Sequence, residues 1–228
     1  MVATRRAVRG RIAWVYAAAV LGGCASGGTE REWGMRAPAA ASVIEVETPL
    51  LAARMAALSR RSPTWRAGLD SVRASGFRVV VTEPARARRV SGLEDYRPRY
   101  IGEVIPLRNA AGEVTGAVVV VDVVRLRKLT EAAGLSAAVM AGDVDRILIH
   151  EVYGHVVPLS QSRRLSGGCP DPRPGQPPES SCAIRRENRI RAELGLERRT
   201  SYDIRGLAVG RSLERARNGD LGDGRDER

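Results

Sequence analysis

Histidine is almost missing from this chain: 228 residues contain two. Lysine is rarer still, with Lys128 alone among 37 basic residues. Aromatic residues make up 4 % and do not alternate with the arginines, so no stacking surface for single-stranded nucleic acid is evident. The formal net charge of +11 falls to nearer +7 once Arg5, Arg6, Arg9 and Arg11, which lie in a leader without acids, are set aside. An excess built almost wholly from arginine is more simply a GC-rich coding bias than selection for phosphate contacts. Attraction to anionic lipid head groups is at least as natural as binding to nucleic acid, which is unlikely on this composition. No apolar run is long enough to cross a bilayer, which needs about 20 residues. No Cys-x-x-Cys pair exists among the three cysteines.

What is present begins with a targeting segment. Basic residues Arg5 to Arg11 precede the apolar stretch Ile12 to Leu21, followed by Gly22, Gly23 and Cys24. This has the length and order of a signal-peptide core. Leu-Gly-Gly-Cys resembles the end of a bacterial lipoprotein signal, in which the cysteine is lipidated and becomes the new N-terminus. The resemblance implies lipidation at Cys24, a signal peptide over residues 1–23, and a place in the bacterial cell envelope. Ala25 and Ser26 carry no acidic retention signal, which favours an outer-membrane lipoprotein. A plain secretory signal is the alternative.

Residues 24–45 are small, polar and Gly/Pro-containing, the composition of a flexible tether. Roughly 200 residues after the leader suffice for one domain with a proper core, expected over 46–205. Helices are predicted from Pro49 to about Arg60 and from Pro63 to about Ala74, with Thr48 and Ser62 as N-caps. Phe77 to Glu83 reads as a strand, and Pro84 to Pro98 as an Arg-rich connection. Tyr100–Leu107 and Val114–Val124 read as a hairpin around the turn Asn109–Glu113. A short helix from Arg125 to Ala133 follows, then a main helix from Val139 to Val157. The expected fold class is α+β, with a small antiparallel sheet packed against that helix and further helices. The Gly-rich, mixed-charge end, 206–228, reads as a mobile tail. Cys169 and Cys182 enclose a Pro/Gly-rich loop. In an oxidising compartment they would close it as a disulfide worth on the order of 3 kcal/mol; a zinc-ligand role for either is the weaker alternative.

Both histidines lie in His150-Glu151-Val152-Tyr153-Gly154-His155, on the main helix. Two imidazoles flanking a glutamate are what a zinc hydrolase requires: neutral rings bind the ion and a carboxylate takes a proton from water. The commoner His-Glu-x-x-His places its ligands four residues apart. Here the spacing is five, which in a regular α-helix rotates the second ring roughly 140° from the first. A shared ion therefore demands a π-bulge or unwinding, which Gly154 tolerates and Pro158 promotes by its missing N–H. With no third histidine, a further ligand must come from elsewhere. Glu187, near the apolar face set by Ile184, Ile190 and Leu194, is preferred to Glu193. Its alternative is an ordinary i,i+4 salt bridge to Arg191.

The stretch HEVYGH followed by RENRIRAELGLERRTSY is similar to the core of bacterial effector- and toxin-type zinc metallopeptidases. In these a His-Glu helix precedes a Glu-Asn-x-x-Arg-x-Glu-x-Gly helix and an Arg/Ser-Tyr end. The likeness spans His150 to Tyr202 and departs from the commoner pattern in its x-x-x spacing. It implies a Zn2+ cofactor, His150, His155 and Glu187 as ligands, Glu151 as catalytic base, and a peptide or protein substrate. Tyr153 or Tyr202 would supply a donor to the tetrahedral oxyanion. The competing functions are an envelope lipoprotein with a structural or degenerate metal site acting as a binding module, a purely structural interaction protein, and a secreted effector.

Overall fold

In this computed structural model the described residues are 44–91, 96–163, 177, 181–200 and 207–217. The leader, Cys24, Cys169, Tyr202 and residues 218–228 lie outside them. Ile44–Val46 forms strand β1, Pro49–Arg61 helix α1, Pro63–Ala74 α2, Arg78–Thr82 β2 and Pro84–Ser91 α3. Gly102–Arg108 and Val114–Val121 are β3 and β4, followed by α4 (Val123–Ala132) and α5 (Ala137–Leu148). A π-helical segment, Ile149–Val156, continues α5 directly into α6 (Val157–Ser162). Helices α7 (Cys182–Glu193) and α8 (Ala208–Arg217) complete the order.

Local chemistry sets most boundaries. The Thr48 side chain accepts from the Leu51 N–H, and Ser62 from that of Trp65 at 2.9 Å, so each caps a helix that opens on proline. The β3–β4 turn closes with the Asn109 side chain accepting from the Glu113 N–H at 2.9 Å, and Gly112 takes the left-handed φ of 80° that the turn demands. Gly134, at φ 65°, stops the helical stretch of α4.

The α+β class holds, but the sheet is mixed rather than antiparallel. Its order is β1-β2-β4-β3; β1 runs parallel to β2, β2 parallel to β4, and only β3 is antiparallel to β4. The central strand β4 is buried from Gly116 through Val121, and such continuous apolar runs belong to strands covered on both faces. Val79, Val81, Ala117, Val119 and Val121 join the main core with α1, α2, α5 and the π segment. Val118 and Val120 face the other way, against Ala87 of α3, Tyr96, Ile105 and Leu107.

Three segments depart from expectation. Ile44–Val46, placed in the tether by composition, pairs with Val79–Val81. The Arg-rich connection contains α3, held by one fully buried alanine, Ala87. Part of the expected tail is α8: Leu207 and Val209 are buried, and the N–H groups of Ala208 and Val209 donate to the Asp143 carboxylate at 2.8 and 3.0 Å. That cap comes from α5, far away in sequence, so no local pattern announces it.

Candidate metal centre

The five-residue spacing of the histidines is resolved by a widened turn. The N–H of Val157 bonds the carbonyl of Val152, an i→i+5 bond, at the end of the π segment. Pro158 has no N–H to give to the Gly154 carbonyl, which instead lies 3.5 Å from Arg186 Nη1 of α7. With one extra residue in the turn, His155 returns to the side of His150 while Ile149, Val152 and Val156 stay in the core.

Gly154 also sets how close α7 can come. A Cβ on it would lie 3.2 Å from Ala183 Cβ and 3.3 Å from the Ala183 carbonyl oxygen. One turn further along α7 is Glu187, and one turn back from Gly154 is His150. The two helices therefore cross antiparallel, with this carboxylate against this imidazole. His150 Nδ1 and Glu187 Oε2 are 2.9 Å apart.

Glu187 is completely buried and has three cationic or donor partners. Arg191 Nη1 donates to Oε1 at 2.8 Å, and Arg199 Nη1 to Oε2 at 2.9 Å. Burial alone would raise its pKa; the bond from His150 and the charges of Arg199 and Arg191 outweigh it and bring the group down to about 2. Asn188 supports the arrangement, since its side chain brackets the Arg199 backbone, accepting from the N–H at 2.7 Å and donating to the carbonyl at 3.0 Å. Arg199 is thereby delivered to Glu187 from beyond the helix end.

An ionised Glu187 accepts, so His150 Nδ1 carries the proton of this bond and Nε2 is the nitrogen turned toward His155. That nitrogen lies 3.3 Å from His155 Nε2, with the rings edge to face at 83°. Burial, with the positive surroundings of His150, Arg199 and Arg186, pushes the His155 pKa down to about 3. The ring is neutral at physiological pH, as a metal ligand must be. Tetrahedral zinc with Zn–N bonds of about 2.0–2.1 Å separates two nitrogens by about 3.3–3.4 Å. The pair therefore fits one edge of such a site.

The described carboxylate and phenol candidates are distributed unequally; Tyr202 lies outside the described residues. Glu151 is buried beside His150, and desolvation raises its pKa, opposed by His150 and Arg199 and reinforced by Glu187 and Glu103. Glu187 reaches the histidines, but on the nitrogen opposite the Nε2 pair, with both oxygens taken by arginines. The α7 crossing brings it to Nδ1 of His150. Glu193 is held by Ser62 and Thr64 at the start of α2. The ring of Tyr153 packs on Gly68 of α2. Among the described residues no group of three or more His, Cys, Asp and Glu is arranged to hold a metal ion.

Sequence reasoning missed Arg199, Gly102, Glu103 and Tyr96. Tyr96 donates to Glu103 Oε2 at 3.0 Å, and desolvation, Glu103 and Glu151 together raise its pKa. Nothing in the spacing of these residues from His150 could reveal them, because the start of β3 meets the π segment only in the folded chain. Cys182, one half of the expected disulfide, opens α7; its expected partner Cys169 lies outside the described residues. No helix among the described residues is long and apolar enough to cross a membrane. Comparison with protein-family models, with curated proteins and with solved structures finds no match to this chain.

Proposed function

We propose that this chain is a zinc-dependent peptide hydrolase, anchored at the bacterial cell envelope through a lipid on Cys24. The observation that carries it is the 3.3 Å approach of His150 Nε2 to His155 Nε2 across a π turn. A distorted turn that brings the only two imidazoles of the chain edge to face has an evident use in binding an ion. The two rings would hold zinc through Nε2. Glu187 would orient His150 from behind and raise its basicity, as carboxylates behind metal-bound histidines do.

Bound zinc would supply Lewis acidity, polarising a substrate carbonyl and acidifying a water. The remaining roles belong to the chain. Glu151 follows His150 directly and lies against the start of β3, and its raised pKa moves it toward the range in which a carboxylate both accepts and returns a proton. It would take the proton of the attacking water and pass it to the leaving amine. Burial of Glu151 and His150 excludes bulk water from this exchange.

A second reading rests on the same distance. A separation of 3.3 Å also suits a hydrogen bond from His155 Nε2–H to the His150 lone pair. In that case the cluster is a structural or degenerate site in a non-catalytic envelope lipoprotein that serves as a binding module. Elemental analysis of soluble residues 25–228 separates the two. About one zinc per chain, much reduced in His155→Ala, supports the metal site. Loss of peptide cleavage in Glu151→Gln with zinc retained then supports catalysis. No zinc in a folded wild type after refilling removes the hydrolase reading.

A further inference from the structure

Gly102 opens β3, at the edge of the sheet, and pairs with Val121. A Cβ built on it would stand 2.8 Å from Glu151 Oε1 and 3.1 Å from Glu151 Cγ, with Ile147 Cγ2 at 2.5 Å. All three are inside van der Waals contact, so the absence of a side chain is what lets the Glu151 carboxylate lie where it does. From these contacts we propose that Gly102 is a positioning residue: the bare backbone of β3 is the seat of the Glu151 carboxylate. The proposal deepens the hydrolase reading and rests on it for its catalytic consequence, though not for the contact itself.

The strand resists yielding in place of the carboxylate. Its start is fixed on three sides. Asp122 N–H donates to the Ile101 carbonyl at 2.8 Å, the ladder with β4 runs from Gly102 onward, and Glu103 is held by the Tyr96 hydroxyl at 3.0 Å and by the Arg99 N–H at 3.4 Å. Ile147 is buried in the core and its β-branched side chain has one favoured rotamer in a helix. The Glu151 side chain has three rotatable bonds and is the part that moves. An added methyl at position 102 would meet Ile147 Cγ2 and Glu151 Oε1 together, so the strand and the helix must part slightly there while the carboxylate is pushed from its seat. A displacement of about 1 Å in a catalytic group costs on the order of 10²-fold in rate.

The test uses the full soluble chain and two readouts. The first is a double-mutant cycle by urea denaturation of the metal-free protein, comparing Gly102→Ala in the wild-type and Glu151→Ala backgrounds. The Ile147 contact is present in both and cancels, leaving the interaction between positions 102 and 151. The expected result is a large fall in the urea midpoint in the wild-type background and a clearly smaller one with Glu151→Ala. Equal falls overturn the proposal. The second readout is kinetic: Gly102→Ala, loaded with zinc to the wild-type stoichiometry, is expected to lose about 10²-fold in kcat with KM unchanged. Wild-type kcat in that variant also overturns the proposal. A zinc-loaded wild type that cleaves no peptide counts against the hydrolase reading instead, and the denaturation cycle still decides whether Gly102 seats Glu151.

Discussion

Replacing Glu187 with glutamine removes one negative charge and almost no volume. The side chain now accepts three donors: His150 Nδ1–H, Arg191 and Arg199. A neutral amide retains one acceptor oxygen and turns an NH2 group toward at least one of these donors. Two guanidiniums, one fully buried and one nearly so, lose their counter-ion. Removing one partner of a buried ion pair costs about 3–5 kcal/mol. Arg191 keeps a second acceptor in the Glu197 carbonyl, 2.6 Å from its Nε, which argues for the low end, about 3 kcal/mol. With a urea m-value of about 2 kcal/mol/M, the midpoint should fall by about 1.5 M at constant m. Trp65 of α2, completely buried, is a suitable fluorescence probe. The measurement belongs at neutral pH in the presence of a chelator, so that metal linkage does not enter. Zinc affinity in the same variant should fall about 10–100-fold, as on removal of other carboxylates that orient metal-binding histidines. A midpoint shift below about 0.4 M with unchanged m would mean that the charges are not coupled as the distances indicate. The Glu187 cluster would then be incidental to both fold and site.

Acid should destabilise the metal-free protein in two stages. His155 is held at about 3, below its ordinary 6.5, so the unfolded chain binds a proton that the folded one refuses. Its contribution is complete above about pH 6.5 and is lost as the pH falls toward 3, at about 1.4 kcal/mol per unit. Glu187, at about 2 against an ordinary 4.5, adds a second loss below about pH 4.5 in the same direction. Glu151, whose pKa burial raises, opposes this slope just above pH 4.5, so the test belongs in a Glu151→Gln background, where urea midpoints that stay level between pH 6.5 and 4.5 would contradict the burial assigned to His155. Pro158→Ala restores a backbone donor opposite the Gly154 carbonyl and lets the i→i+4 register compete with the π turn. The α register rotates His155 away from His150, so zinc affinity in a chelator competition should fall at least about tenfold while the thermal midpoint holds. Unchanged affinity would show that packing against α7, and not the missing N–H, maintains the turn.

The helix caps at Thr48 and Ser62, the hairpin turn at Asn109–Glu113 and the need for a distortion near Gly154 were all legible, because each depends on residues within one or two turns of one another. The parallel strand β1 was not. It has three residues, and its stability comes from pairing with β2, more than thirty positions on. Helix α8 was hidden for a similar reason, since its first N–H groups are satisfied by Asp143 of α5. The amphipathic pattern of α7 placed Glu187 on the inner face correctly. It could not say which imidazole nitrogen the carboxylate would meet, because that depends on the close contact of Gly154 with Ala183. Arg199 lies past the end of α7, and its delivery to the site depends on Asn188 gripping its backbone. Helical periodicity carries no information about such a return.

A carboxylate facing the core needs a cation, and the sequence offered zinc as one answer. The folded chain supplies two guanidiniums and an imidazole N–H instead, all from its own residues. This changes what metal binding would do to the protein. A small domain whose ligands are uncompensated without zinc is unfolded in its absence, and the binding energy is its folding energy. Here Glu187 is neutralised without metal, the Nε2 pair is already in register, and a hydrophobic core from β4 to α5 lies beneath the site. Zinc would meet a preformed pair of nitrogens and order little of the described structure. Its contribution to stability would then follow simple mass action on the folded state, growing with the logarithm of free zinc above Kd. The metal-free chain should therefore be as fully folded as the loaded one, differing in midpoint and not in secondary structure. A chain that loses its helical circular dichroism on chelation would show that the arginine–glutamate cluster does not hold the two helices together by itself.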